Sequence, residues 1–82
     1  MFLFKKKEQY IYKVEVHGMM CGSCEAHVNN LIYKNFDVRK VKSNHFKNET
    51  IIFSKVELDE NKIKDVISKD GYEVKGIVME KK

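Results

Sequence analysis

The chain contains no proline and no tryptophan, and only two cysteines and four glycines in 82 residues. Without proline, nothing in it demands a stiff linker or a kinked helix, which suits a tight alternation of helices and strands. Two cysteines cannot build the disulfide framework that staples small secreted domains. No apolar run approaches the ~20 residues needed to span a bilayer. The short run Met1-Phe2-Leu3-Phe4 precedes Lys5-Lys6-Lys7, the reverse of the order in a secretory signal, so a cytoplasmic protein without a membrane span is expected. An excess of one charge is also nearly missing. Sixteen Lys and Arg face twelve Asp and Glu, a net charge of +4, and the signs are mixed along the chain, which argues against a nucleic-acid partner. What remains, 43% hydrophobic and 34% charged residues, is enough for one small core under a heavily solvated surface.

Residues 1–9 read as an N-terminal tail, 10–79 as the domain and 80–82 as a charged end. Tyr12, Val14 and Val16 alternate with Lys13 and Glu15, which predicts a half-buried strand over Tyr10–His17 that stops at Gly18. Cys24, Val28, Leu31 and Ile32 recur at helical spacing and predict a helix over Ser23–Lys34, ending near Asn35, a residue that tolerates the left-handed conformation. Val38–Ser43 and Thr50–Val56 read as a hairpin around a turn at Asn48. Asp59 is placed to cap a second helix, Leu58 and Ile63 to staple its start, and Gly71 to end it. Tyr72–Met79 is the last strand. The order is strand, helix, strand, strand, helix, strand, satisfied by a single sheet with both helices on one face.

The chemistry is concentrated in His17-Gly18-Met19-Met20-Cys21-Gly22-Ser23-Cys24-Glu25, between the first strand and the first helix. Thiols at i and i+3 can converge on one atom when the first lies on a loop and the second in the opening helical turn. The free amides of a helix start favour thiolates, which are both metal ligands and redox nucleophiles. A structural zinc site wants four ligands, and His17, His27 and His45 lack zinc-finger spacing to the cysteines. An iron–sulfur cluster wants four thiolates. A thioredoxin-like oxidoreductase wants a larger framework and its characteristic proline. A soft ion content with two thiolates, Cu(I), fits best.

Gly-Met-x-Cys-x-x-Cys in this context resembles the heavy-metal-associated domain family, which includes bacterial copper chaperones and the N-terminal domains of copper-transporting P-type ATPases. Asp37-Val38-Arg39-Lys40-Val41 and Asp70-Gly71-Tyr72-Glu73-Val74 extend the resemblance over about Tyr12 to Val74. It implies an α+β, ferredoxin-like βαββαβ fold, Cu(I) held by Cys21 and Cys24, Met19 packed under the loop, and Gly18 and Tyr72 supporting or shielding the cysteines. Asp37 departs from the family's usual Gly. Met20 stands where zinc and cadmium members often carry Asp, and the missing carboxylate argues for a softer ion. Met20, His17, His27 and His45 are expected at the surface.

The expected function is that of a cytoplasmic metallochaperone, not an enzyme, passing Cu(I) by ligand exchange to a copper-transporting P-type ATPase or its metal-binding domain. A Zn(II)-, Cd(II)- or Hg(II)-binding domain and a thiol–disulfide redox protein are the rivals. A monomer without metal and a metal-bridged dimer with it are consistent with an open dithiol. The positive net charge, with Lys34, Lys69 and Lys75 as candidate neighbours of the loop, leads to the expectation of an acidic partner.

Overall fold

The computed structural model describes residues 9–81, so the tail up to Glu8 lies outside the described residues, as does Lys82. The elements follow the expected order: β1 (Tyr10–His17), α1 (Gly22–Asn35), β2 (Lys40–Asn44), β3 (Glu49–Ser54), α2 (Glu60–Ser68) and β4 (Glu73–Lys81). The four strands form one antiparallel sheet in the order β2-β3-β1-β4. This is the ferredoxin-like arrangement.

One core explains why the helices share a face. The inward positions Tyr12, Val14 and Val16 of β1, Val41 of β2 and Ile52 of β3 cluster with Val28 and Ile32 of α1 and with Ile63 and Ile67 of α2. Buried Thr50 keeps its hydroxyl bonded to Ser43 at 2.8 Å, and Ser43 in turn donates to Asn29 of α1 at 2.7 Å. The core has a second tie at its far end. The buried Tyr12 hydroxyl accepts from the Leu58 amide at 2.7 Å and donates to the Leu58 carbonyl at 3.2 Å, which pins the chain just before α2.

Local chemistry accounts for most boundaries. The Asp59 carboxylate accepts from the Asn61 amide at 2.9 Å, so the expected cap of α2 is present. Asn48 turns the β2–β3 hairpin with φ of 53°. The end of α1 is built differently from the expectation. Asn35 keeps negative φ and instead donates from its side-chain amide to the Leu31 carbonyl at 2.8 Å, while Phe36 leaves the helix in an extended conformation. β4 runs two residues beyond the expected Met79, because Glu80 and Lys81 still pair with Ile11 and Tyr10.

The antiparallel order brings three connections to one end of the sheet: the β1–α1 loop, the β2–β3 turn and the α2–β4 connection. The Val16 amide donates to the Asn48 carbonyl at 2.9 Å across two of them.

Candidate metal centre

Residues Gly18–Cys21 carry the chain from β1 into α1. Gly18 has φ of +112°, a region closed to most side chains. A Cβ there would also meet the Tyr72 ring at 3.4 Å, so the loop closes down directly onto Tyr72. Met19 is 4% exposed and belongs to the core, anchoring the loop from beneath, whereas Met20 is 78% exposed.

Cys21 occupies the N-cap position of α1 in an extended conformation, and its carbonyl accepts from the Cys24 and Glu25 amides at 3.1 and 3.2 Å. The cap thereby sets the first cysteine just outside the helix and the second in its opening turn. Both thiols are free; Cys21 is exposed and Cys24 half-buried against the core. The backbone amide of Met20, followed by the Tyr72 hydroxyl, holds the Cys24 thiol below its ordinary pKa, with the Cys21 backbone and thiol adding to the effect against partial desolvation. Cys24 is thus inclined toward the thiolate that binds soft metals.

Tyr72 is half-buried. Burial, then the neighbouring Cys24, push its phenol above the ordinary range, so at neutral pH it keeps its proton and stays a donor. Its hydroxyl also lies 3.2 Å from Nδ1 of His27, and Nε2 of His27 lies 2.7 Å from Oδ2 of Asp70. Cys24, Tyr72, His27 and Asp70 therefore form one line of polar contacts. His27 was expected only as a surface residue. It is exposed, but it is engaged. Its i+3 spacing from Cys24 places the two on the same side of α1, and that spacing was the available signal.

The other histidines stand apart from the thiols. His45, expected to be solvated in the hairpin, is instead half-buried: its Nδ1 lies 2.6 Å from Glu25 in the first turn of α1. His17 pairs at 2.7 Å with Glu15 on its own strand. Among the described residues, no group of three or more His, Cys, Asp and Glu is arranged to hold a metal ion. Of the lysines expected beside the loop, Lys69 follows α2 and Lys75 opens β4 at the cysteine end, while Lys34 lies in the last turn of α1 at the opposite end. No helix among the described residues is long and apolar enough to cross a membrane.

No family model matches the chain, and no curated protein matches its sequence significantly. Solved structures do. The N-terminal domain of ZntA, in a solution structure of its Zn(II) form, superposes with a TM-score of 0.68 at 18% identity, over 85% of this chain and 92% of that one. The CopZ metallochaperone superposes with a TM-score of 0.65 at 28% identity, over 80% of this chain and 97% of that one. The first likeness is one of fold; the second adds sequence. Together they bear out the resemblance to heavy-metal-associated domains read from the cysteine loop.

Proposed function

We propose that the chain is a cytoplasmic metallochaperone that carries one Cu(I) between the sulfurs of Cys21 and Cys24. The observation that carries this reading is the placement of two free thiols at the start of α1, one exposed and one half-buried, with no third His, Cys, Asp or Glu grouped with them among the described residues. Two thiolates satisfy a soft, low-coordinate ion and leave Zn(II) two ligands short of its tetrahedral preference. Similarity to a metallochaperone supports the carrier role, and similarity to a Zn(II)-form domain keeps Zn(II) as the second reading.

Function then follows from exposure. An incoming thiolate reaches the ion through the open Cys21 side, a three-coordinate intermediate shares it, and the ion moves on as the cysteines are released. No substrate bond is made or broken, so the protein is not an enzyme on this reading. The acceptor is a metal-binding domain of a copper-transporting P-type ATPase. Two chains could instead share ions through facing dithiols, giving a metal-bridged dimer, while the metal-free chain is a monomer.

The test is anaerobic competition of Cu(I), Zn(II) and Hg(II) for the reduced protein, with stoichiometry read by mass spectrometry. One Cu(I) per chain, lost in the Cys21→Ser, Cys24→Ser double variant, is expected. Full Cu(I) retention by that variant would refute the assignment, and preference for Zn(II) would move it to the second reading.

A further inference from the structure

The open face of the sheet, opposite the helices, divides by charge. Alternation with the buried Tyr12, Val14 and Val16 turns Ile11, Lys13 and Glu15 outward, and the register sets Phe53, Ile51 and Glu49 of β3 beside them. Lys40 pairs with Phe53 and Lys42 with Ile51, so both exposed lysines of β2 stand next to apolar side chains. Arg39 is exposed beside them, and its Nη1 lies 3.5 Å from Oε1 of Gln9. Gln9, Arg39, Lys40 and Phe53 line one shallow groove. No ion pair among the described residues engages Arg39, Lys40 or Lys42. The carboxylates lie elsewhere. Glu15 and Glu49 oppose each other at the cysteine end, and Glu80 pairs with Lys13 at 3.7 Å. Asp37 follows α1, and Glu57, Asp59 and Glu60 gather at the start of α2; both helices pack on the other face.

The sequence ahead of β1 adds to this patch. Lys5, Lys6 and Lys7 closely precede Gln9. A chain spans at most about 3.6 Å per residue, so the Cα of Lys7 lies within about 7 Å of that of Gln9, and the Cα of Lys5 within about 14 Å, whatever path the chain takes. Six basic residues therefore gather at one end of the open face, with Glu8 the one carboxylate in residues 1–9. Phe2, Leu3 and Phe4 come directly before them. We propose that this end binds an anionic bilayer surface, with Lys5, Lys6, Lys7, Arg39, Lys40 and Lys42 against the headgroups and Phe2, Leu3 and Phe4 in the interface. Three apolar residues hold a surface only weakly by themselves, and a basic patch supplies the second attraction that stable attachment needs. A nucleic acid would reward the lysines but not Leu3. The eight residues of β1 rise about 3.3 Å each. The cysteine loop therefore stands about 25 Å from the attached end, facing away from the lipid and open to a partner.

The test uses the full chain, reduced and metal-free, in flotation with two kinds of vesicle: phosphatidylcholine alone, and phosphatidylcholine with about one-third phosphatidylglycerol. Binding to the anionic vesicles is expected to be at least tenfold stronger than to the neutral ones, and to weaken as salt is raised. Replacing Lys5, Lys6 and Lys7 together by Gln lowers the partition about 100-fold. Replacing Arg39, Lys40 and Lys42 by Gln lowers it about tenfold or more, with an unchanged circular dichroism spectrum showing that β2 still folds. Phe2→Ser with Phe4→Ser costs at least tenfold, because the apolar contact is lost while the charge stays. The Cys21→Ser, Cys24→Ser double variant binds vesicles as the parent does, so this result and the metal assignment stand or fall separately. No binding, or equal binding to both vesicles, would overturn the proposal. Binding that depends on the lysines but is indifferent to Phe2 and Phe4 would mark a purely ionic partner such as RNA and would overturn it as well.

Discussion

His45 gives both its backbone N–H and its imidazole Nδ1 to one oxygen of Glu25, at 2.8 and 2.6 Å. The contact ties the β2–β3 turn to the first turn of α1, next to the cysteines. The His45 backbone bond, followed by the side-chain bond, holds the Glu25 carboxyl below its ordinary pKa of about 4.5. The folded chain therefore binds this proton less readily than the unfolded chain. The resulting stabilisation is complete above about pH 4.5 and is lost as the pH falls through the lowered folded value. Glu25→Gln should melt at a lower temperature than the parent at pH 6, and the difference should shrink as the pH falls below about 4.5. Parallel melting curves from pH 6 to pH 3 would show that this carboxylate contributes nothing specific.

The metal-free protein should unfold cooperatively in the presence of chelator. Its core draws on every helix and on β1, β2 and β3 without using either cysteine sulfur as a keystone. A structural zinc finger, in contrast, depends on its ion for folding. Ile32 and Ile52 are fully buried where α1 meets the sheet. Truncating either to Ala should cost about 2–5 kcal/mol, a large share of the roughly 4–11 kcal/mol open to a domain of this size. Denaturant titration should find both variants close to unfolding, with Ile63→Val losing only about 1 kcal/mol. A non-cooperative, coil-like metal-free spectrum would contradict the first claim.

Gly18 and Gly71 both hold positive φ, +112° and +93°, but differ in surroundings. A Cβ on Gly71 has nothing within 4 Å, whereas one on Gly18 meets Tyr72 at 3.4 Å. Alanine at either position should destabilise by about 1–3 kcal/mol through backbone strain. Gly18 lies in the loop that leads into Cys21, so its backbone strain should reach the cysteines and weaken Cu(I) retention more than that at Gly71. Equal retention by the two variants, measured against a chelator of known affinity, would disconnect Gly18 from the site.

The element order was legible because the chemistry that sets it is local. Alternation in Tyr12–Val16, the Asp59 cap and the turn at Asn48 each act within a few residues. The cysteine loop was legible for the same reason. What escaped depends on contacts distant in sequence. His27 reaches Tyr72 across 45 positions and His45 reaches Glu25 across 20, and neither pairing leaves a periodic trace. Asn35 was assigned to the right place for the wrong reason: its side chain, not left-handed backbone, closes α1.

The distribution of charge changes what the net value of +4 predicts for metal transfer. Lys69 and Lys75 lie at the cysteine end, but Asp70 follows Lys69 directly, and Glu73 pairs with Lys75 at 3.3 Å. Glu25 adds a further carboxylate in the first turn of α1. Lys34 is a helix length away, about 20 Å at 1.5 Å per residue, which exceeds the Debye length of about 8 Å at physiological salt. The docking end is therefore of mixed sign, and the expectation of an acidic partner drawn to a basic face loses its footing there. Steering by a single-sign surface raises association rates by about 10- to 1,000-fold at low salt; a mixed surface should not. We expect the Cu(I) transfer rate to an isolated acceptor domain to change by no more than about twofold to threefold between 50 and 500 mM salt, and Lys69→Gln to leave it within the same range. The measurement is stopped-flow transfer at several ionic strengths. A decline of tenfold or more would restore electrostatic capture as the step that sets the rate, while leaving the exchange of thiolates at Cys21 and Cys24 unaltered.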